Sequence, residues 1–182
     1  MNVGIIAAKS ISKRLPGKNV RTVGGVPLFW YSVQPLVDAK TVDKVYVATD
    51  SILIKEYCED KGVSVIWRNI NAIRPEDPLI SVLRYAYYSI EEPADAVVTI
   101  MANCPGHTSE NVDKLVNMFY EKKLQEVRSF DGDGEENGLM IYSKDIMQSN
   151  RDISYYIGCM VTDSVKEIHY EQDLNEFIAE RI

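Results

Sequence analysis

The stretch VGIIAAKSISKRLPGKN, Val3 to Asn19, decides how the rest of this 182-residue chain is read. Val3–Ala8 is a continuous apolar run, the pattern of a central strand covered on both faces. The eleven residues Lys9–Asn19 hold four cations (Lys9, Lys13, Arg14 and Lys18) and no acid, in a chain of formal net charge −7. Ligands of an open parallel sheet collect beyond the carboxyl ends of its strands, and this loop leaves such an end. Its cations, the Ser10 and Ser12 hydroxyls and free backbone N–H groups suit a polyphosphate. Gly17 would let the backbone approach that ligand closely. A solvated basic loop is the alternative, because charge runs commonly face water. The loop is neither a Walker A sequence nor a G-x-G-x-x-G fingerprint, so its chemistry alone supports anion binding and no more.

Outward from this stretch, strand-like and helix-like segments alternate. Gly24–Gly25 make a turn, Pro27 suits the start of a helix, and Pro35 is expected to end or kink it. Lys44–Thr49 is a second strand running into Asp50, followed by a helix over Ser51–Lys61 closed by Gly62 and a strand over Val63–Trp67. Arg68–Asp77 is polar and irregular, Pro78–Ile90 helical, and Ala96–Met101 another buried strand. Thr108 or Ser109 caps a helix reaching Lys122. Strands are expected over Glu126–Phe130, Gly138–Tyr142, Gly158–Thr162 and Val165–His169, with helices over Lys144–Gln148 and Asp173–Arg181. The alternation implies an α/β chain with a largely parallel sheet covered by helices. Without an internal repeat or linker, residues 1–182 read as one domain.

Composition bounds the function. Hydrophobic residues make up 46% and charged residues 26%, as in ordinary globular proteins. The acidic balance argues against a nucleic-acid partner, which demands a broad basic face, but leaves room for a small phosphorylated ligand. Cys58, Cys104 and Cys159 follow no zinc or disulfide spacing and read as reduced thiols. No apolar run approaches the ~20 residues needed to span a bilayer, and VGIIAA is too short for a signal peptide. A cytoplasmic protein without a membrane partner is the expectation.

The order of residues carries more than their charge. Ala8, Lys9, Ser12, Lys13, Leu15, Pro16, Lys18 and Asn19, then Val23, Gly25, Pro27 and Leu28, resemble the N-terminal signature of the acylneuraminate (CMP-sialic acid synthetase-like) cytidylyltransferases. That family's pattern is approximately A-R-x-x-S-K-x-L-P-x-K-N followed by L-x-G-x-P-L. The related ketodeoxyoctulosonate enzymes share S-x-R-L-P-G-K but typically place Pro next, so Asn19 favours the sialic group. VYVATD (Val45–Asp50), Arg74-Pro75-Glu76-Asp77, the strand and loop VVTIMANCPGHT, NGLMIY from Asn137, and EIHYEQDLNEFIAE resemble further family segments in the same order.

The resemblance implies a Rossmann-like nucleotide-diphospho-sugar transferase (GT-A-like) three-layer fold with a mainly parallel mixed sheet. It implies that CTP and an acidic sugar give a CMP-sugar and pyrophosphate, with Mg²⁺ as cofactor, for surface polysaccharide or glycoconjugate synthesis. A homodimer is a family expectation. Carried over by position, Lys9 and Lys18 hold the triphosphate as the catalytic cations. Ser12, Lys13, Asn19, Arg74 and Ser81 help bind the nucleotide, and Asn103 and His107 face the sugar. Asp50, Glu167 and His169 are the candidate metal ligands.

The chain departs from the pattern in its leading Lys9, which lacks the guanidinium fork. It departs again at the Met101–His107 loop, and in Glu167 and His169 where the family has an acidic pair. These departures keep open a catalytically silent relative that binds a nucleotide or a protein partner. Single residues have plainer readings too. Asp50 or Ser51 could cap a helix, Trp30, Tyr31, Tyr85, Tyr87 and Tyr88 could simply pack, His107 could lie on the surface, and His169 could sit on an edge strand.

Overall fold

The computed structural model describes residues 1–69, 71–74, 76–149, 154–163 and 165–181. Its main sheet is built from β1 (Asn2–Ala8), β4 (Lys44–Thr49), β5 (Ser64–Trp67), β6 (Ala96–Ile100), β7 (Glu126–Phe130), β8 (Glu136–Ser143) and β9 (Ile157–Val161). A short hairpin, β2 (Thr22–Val23) and β3 (Val26–Pro27), stands apart from it. The helices are α1 (Trp30–Asp38), α2 (Ile52–Asp60), α3 (Leu79–Tyr87), α4 (Ser109–Glu121), α5 (Lys144–Gln148) and α6 (Glu171–Ala179).

Strand order is β5-β4-β1-β6-β8-β7-β9, and only β8 runs against its neighbours. The sheet is largely parallel, as the alternating sequence predicts, and mixed, as the family resemblance implies. Successive residues of β1 face opposite layers, as a strand's period of two requires. Ile6 and Ala8 pack in one apolar cluster with α1, α2 and α4, whereas Val3 and Ile5 pack in another with α3 and α5. The result is three layers, with β1 buried at the centre.

Local chemistry sets the element ends. Ser51, not Asp50, caps α2 by accepting from Ile54 N, and Thr108 and Asn111 form a reciprocal capping box at α4. Gly24 and Gly25 both have positive φ (55° and 82°), the geometry of a two-residue hairpin turn. Pro27 therefore pairs with Thr22 in β3 instead of starting α1. Pro35 neither ends α1 nor lies near its start; the helix continues to Asp38 because Val33, Pro35 and Leu36 are buried against the sheet. Tertiary packing outweighs the lost backbone bond.

Two late expectations also change. Val165–His169 is not a strand: it crosses beyond the carboxyl end of β6, where Ile168 N donates to Asn103 O at 2.8 Å. Helix α6 starts two residues early because Asp173 accepts from the backbone N–H groups of His169 and Tyr170, both at 2.8 Å. Aromatic residues mostly pack: Phe29, Trp30 and Tyr57 form an edge-to-face cluster, and Tyr31 meets Phe177 edge-on at 5.4 Å. Among the described residues no helix is long and apolar enough to cross a membrane.

Candidate active site

From β1 the chain goes on to β4 and β5 along one flank of the strand order, and from β6 to β7, β8 and β9 along the other, so the order reverses between β1 and β6. A crevice opens at such a point beyond the carboxyl ends of the strands. Here it is a cleft of about 460 Å³ whose walls come from the Lys9–Asn19 loop, Arg68, the start of α3, Met101–Asn103, Glu167 and His169. Among the described residues five cations (Lys9, Lys13, Arg14, Lys18 and Arg68) line it against three carboxylates (Glu76, Asp77 and Glu167). An acidic chain thus focuses positive potential in one concavity, the arrangement that draws in a compact anion.

The loop is held from behind. Leu15 is 2% exposed and joins Ile168, Leu174 and Phe177 in a small apolar cluster under α6. Gly17 takes a left-handed φ of 65°, which turns the chain into a 3-10 turn over Lys18–Val20. Arg21 Nη1 donates to both carboxylate oxygens of Glu171, at 2.7 and 2.6 Å, tying the far end of the loop to α6. Asn19 is buried; its Nδ2 donates to Lys9 O at 2.9 Å, while its Oδ1 is shut off and has no partner among the described residues. Asn19 therefore closes the loop on itself.

Lys18 is half-buried and its Nζ donates to Ile168 O at 2.7 Å. Burial pulls its pKa below the ordinary lysine value, opposed by the Glu167 carboxylate and reinforced by neighbouring Arg14 and Lys9. A polyphosphate oxygen would supply the charge compensation that this ammonium lacks. Lys13 is extended toward solvent, 3.9 Å from Glu76, and Arg14 lies 6.0 Å from the centre of the Tyr170 ring.

On the facing wall the structure departs from the sequence expectation. Arg74 is exposed and bound to Asp77, through its backbone N at 2.7 Å and its guanidinium at 3.3 Å, and it is absent from the cleft lining. Pro75 of the same motif lies outside the described residues. Arg68 takes the position instead. It follows β5 directly, its backbone N donates to Thr49 O at 2.8 Å, and its residue is only 4% exposed. Its Nη2 reaches Arg74 O at 3.3 Å, while its buried Nε has no partner among the described residues. A guanidinium this deeply buried on a cleft wall is costly to hold charged, and an anion in the cleft would offset that cost. The signal for Arg68 was its place at the end of a strand; the R-P motif drew attention to Arg74. Ser81 is also outside the lining, to which α3 contributes Leu79 and Val82.

The remaining candidates divide. Asn103, Glu167 and His169 share one wall: Asn103 Nδ2 donates to Glu167 Oε1 at 2.6 Å, and Glu167 Oε2 lies 2.9 Å from His169 Nε2. Asp50 does not join them. Its carboxylate accepts from Ser10 N at 2.7 Å and Ser10 Oγ at 3.0 Å, fixing the start of the loop. His107 is not a surface or sugar-facing residue: it is 4% exposed, with Nε2 2.8 Å from Asn137 O, and burial lowers its pKa despite that hydrogen bond. Asn137 is itself buried and binds Ser129 and Thr162. Beside it, Gly138 has φ 88°, and an added Cβ would lie 2.6 Å from Cys104 Sγ. The Asn-Gly pair thus braces the loop that carries Asn103.

Mg²⁺ fits this donor set poorly. Among the described residues no three His, Cys, Asp or Glu side chains are grouped to hold a metal. Asp50 is engaged elsewhere, Asp77 is tied to Arg74 and Glu76 stands beside Lys13, so Glu167 has an imidazole as its neighbour on the far wall, whereas Mg²⁺ demands a tight octahedron of oxygens.

Comparison with known proteins places these features. A cytidylyltransferase family model matches residues 3–173. The chain is 32% identical over 122 residues to a 3-deoxy-manno-octulosonate cytidylyltransferase of Lawsonia intracellularis, covering 67% of this chain and 47% of that one. It is 26% identical over 137 residues to an N-acylneuraminate cytidylyltransferase of Streptococcus agalactiae, covering 74% and 33%. The chain thus spans less than half the length of these curated relatives. In fold it is similar to a CMP:2-keto-3-deoxy-manno-octonic acid synthetase solved with CTP, with TM-score 0.82, 14% identity and coverage of 99% of this chain and 98% of that one. It is also similar to Rv0371c of Mycobacterium tuberculosis solved with manganese, with TM-score 0.73, 10% identity and 98% of each chain covered. With the family model matched over nearly the whole chain, this protein belongs to the cytidylyltransferase family.

Proposed function

We propose that this chain joins CMP from CTP to an acidic sugar and releases pyrophosphate. The observation that carries the reading is the cation-lined cleft at the β1–β6 switch point, where Lys9 and Lys18 of the first loop meet Arg68 from the end of β5. In the reaction a sugar hydroxyl oxygen attacks the α-phosphorus, the bond to the β-phosphate oxygen breaks, and the hydroxyl proton passes to solvent. Charge builds on the phosphate oxygens and on the leaving pyrophosphate, so fixed cations in a half-closed cleft lower the barrier.

Lys9 and Lys18 hold the triphosphate in this reading, with Ser12 and Lys13 donating from the loop. Asn19 keeps the loop closed, and Arg68 replaces Arg74 as the buried nucleotide contact. Asn103 stands at the sugar end. Residues 1–182 act as one domain in the cytoplasm, and a homodimer and a divalent cation come with the family expectation. The poor fit of Glu167 and His169 to Mg²⁺ favours one second reading, a silent relative that binds nucleotide without turnover.

Pyrophosphate release from CTP across a panel of acidic sugars, with several divalent cations, separates the two. Release with at least one sugar, accompanied by its CMP derivative, is the expected result. CTP binding without release under every condition would leave the silent reading standing and overturn the first.

A further inference from the structure

We propose that β9 is a self-pairing edge: it joins, antiparallel, the β9 strand of a second copy of this chain, on a two-fold axis through Cys159. The family expectation of a homodimer names no surface, and β9 lies outside the cleft, so the proposal stands apart from the CTP reading. β9 is the last strand in the sheet order and, among the described residues, pairs only with β7. Its other edge presents unpaired backbone groups, a template for one more strand.

The ladder fixes which groups face outward. Gln125 N donates to Tyr156 O at 2.9 Å, and Thr162 N donates to Phe130 O at 2.8 Å. The even-numbered residues from Tyr156 to Thr162 thus turn their N–H and C=O toward β7, and Ile157, Cys159 and Val161 turn theirs to the open edge. The period of two also puts these three side chains on one face of the sheet. There Ile157 is 50% exposed, Val161 is 72% exposed, and Cys159 is exposed with them. Gly158 takes the opposite face, close against Leu124 and Met118.

The strand is complementary to itself. A two-fold contact needs an outward-facing residue that can lie opposite its own equivalent, and Cys159 is the middle of the five residues Ile157–Val161. In that register Cys159 meets Cys159 of the second copy as a hydrogen-bonded pair, with Cα atoms about 5.5 Å apart. Each Ile157 meets Val161 of the other copy, again exchanging both backbone bonds, so apolar cross-strand pairs flank the thiols. Charge agrees with this occupant. Two copies of net charge −7 repel, yet IGCMV carries no charge and no Pro, the residues that usually guard an edge. A strip this short covers less than the ~800 Å² per partner of a standard interface, so the dimer is weak, with a Kd on the order of 10 μM.

Sedimentation over a concentration series tests for the dimer, and thiol crosslinking tests its surface. Cys58 and Cys104 are buried, so the exposed thiol of Cys159 reports on β9. Copper phenanthroline should oxidise the facing thiols of the wild-type dimer to a disulfide, because their Cα spacing is one that a disulfide spans. Cys159→Ser should abolish that link and leave the dimer Kd within about threefold. Cys159→Lys sets like charges opposite each other on the axis and should raise the Kd at least about tenfold, with an unchanged circular dichroism spectrum. A protein that sediments as a monomer at every concentration would overturn the proposal, leaving the edge to an extended segment of another protein. A dimer that does not link through Cys159, or that tolerates Cys159→Lys, would overturn it too. The wild-type crosslink decides even if the lysine variant fails to fold.

Discussion

Replacing Lys18 by Met separates a binding role from a structural one. In the free protein Lys18 is a half-buried ammonium whose pKa burial depresses, so part of its charge is held at a cost. Met keeps the stem and removes that cost, but also removes the donor to Ile168 O at 2.7 Å. A hydrogen bond from a charged group is worth ~1.5–3 kcal/mol, and the relief of desolvation offsets much of it. Net stability should therefore change by no more than about 1 kcal/mol. The triphosphate loses one charge-assisted contact worth ~1.5–3 kcal/mol, so CTP affinity should fall roughly 10- to 150-fold. Urea denaturation and calorimetric titration with CTP at fixed ionic strength read the two quantities separately. A folded variant that binds CTP within about twofold of wild type would refute the role given to Lys18. A loss of several kcal/mol in stability with CTP binding retained would make the residue purely structural.

Arg68→Met should weaken CTP about tenfold or more while Arg74→Ala changes it less than about threefold, because only Arg68 faces the cleft; titration of both variants compares them directly. Leu15→Ala should cost ~2–3 kcal/mol, the low end for a buried leucine because its cluster is small, and should weaken CTP by loosening the loop; denaturation and CTP titration measure both. His107 gives a pH signature. Its folded pKa lies below its ordinary 6.5, so on acidification the unfolded chain takes up the proton first. The stability it contributes is intact above about pH 6.5 and declines as pH falls toward the lowered folded value, by at most ~1.4 kcal/mol per pH unit. His107→Gln should flatten stability against pH over that window, as measured by denaturation at a series of pH values.

Much of the fold was legible because strands buried on both faces read as plain apolar runs. Val3–Ala8, Lys44–Thr49 and Ala96–Ile100 carry that signal with little competition, and the basic loop stands directly after the first of them. The misreadings share a cause: local propensity was outweighed by contacts distant in sequence. Pro35 stays helical because its face is buried, and Val165–His169 is no strand because it meets the Asn103 loop instead of a sheet edge. The site divided in the same way. Lys9, Ser12, Lys13, Lys18 and Asn19 come from one continuous loop, so their order in sequence already set their proximity. Asp50 and His107 stand beside strand ends, but side-chain direction sends one to Ser10 and the other into the core. Arg68 lines the cleft although it is almost wholly buried, which only the packed structure reveals.

The most direct test of the account is a crystal structure of this protein with CTP. The triphosphate is expected between Lys9 and Lys18 of the loop, with Arg68 Nε or Nη engaged by the nucleotide and Arg74 still on Asp77. A nucleotide bound elsewhere, or in the cleft with its phosphates away from Lys9 and Lys18, would contradict it.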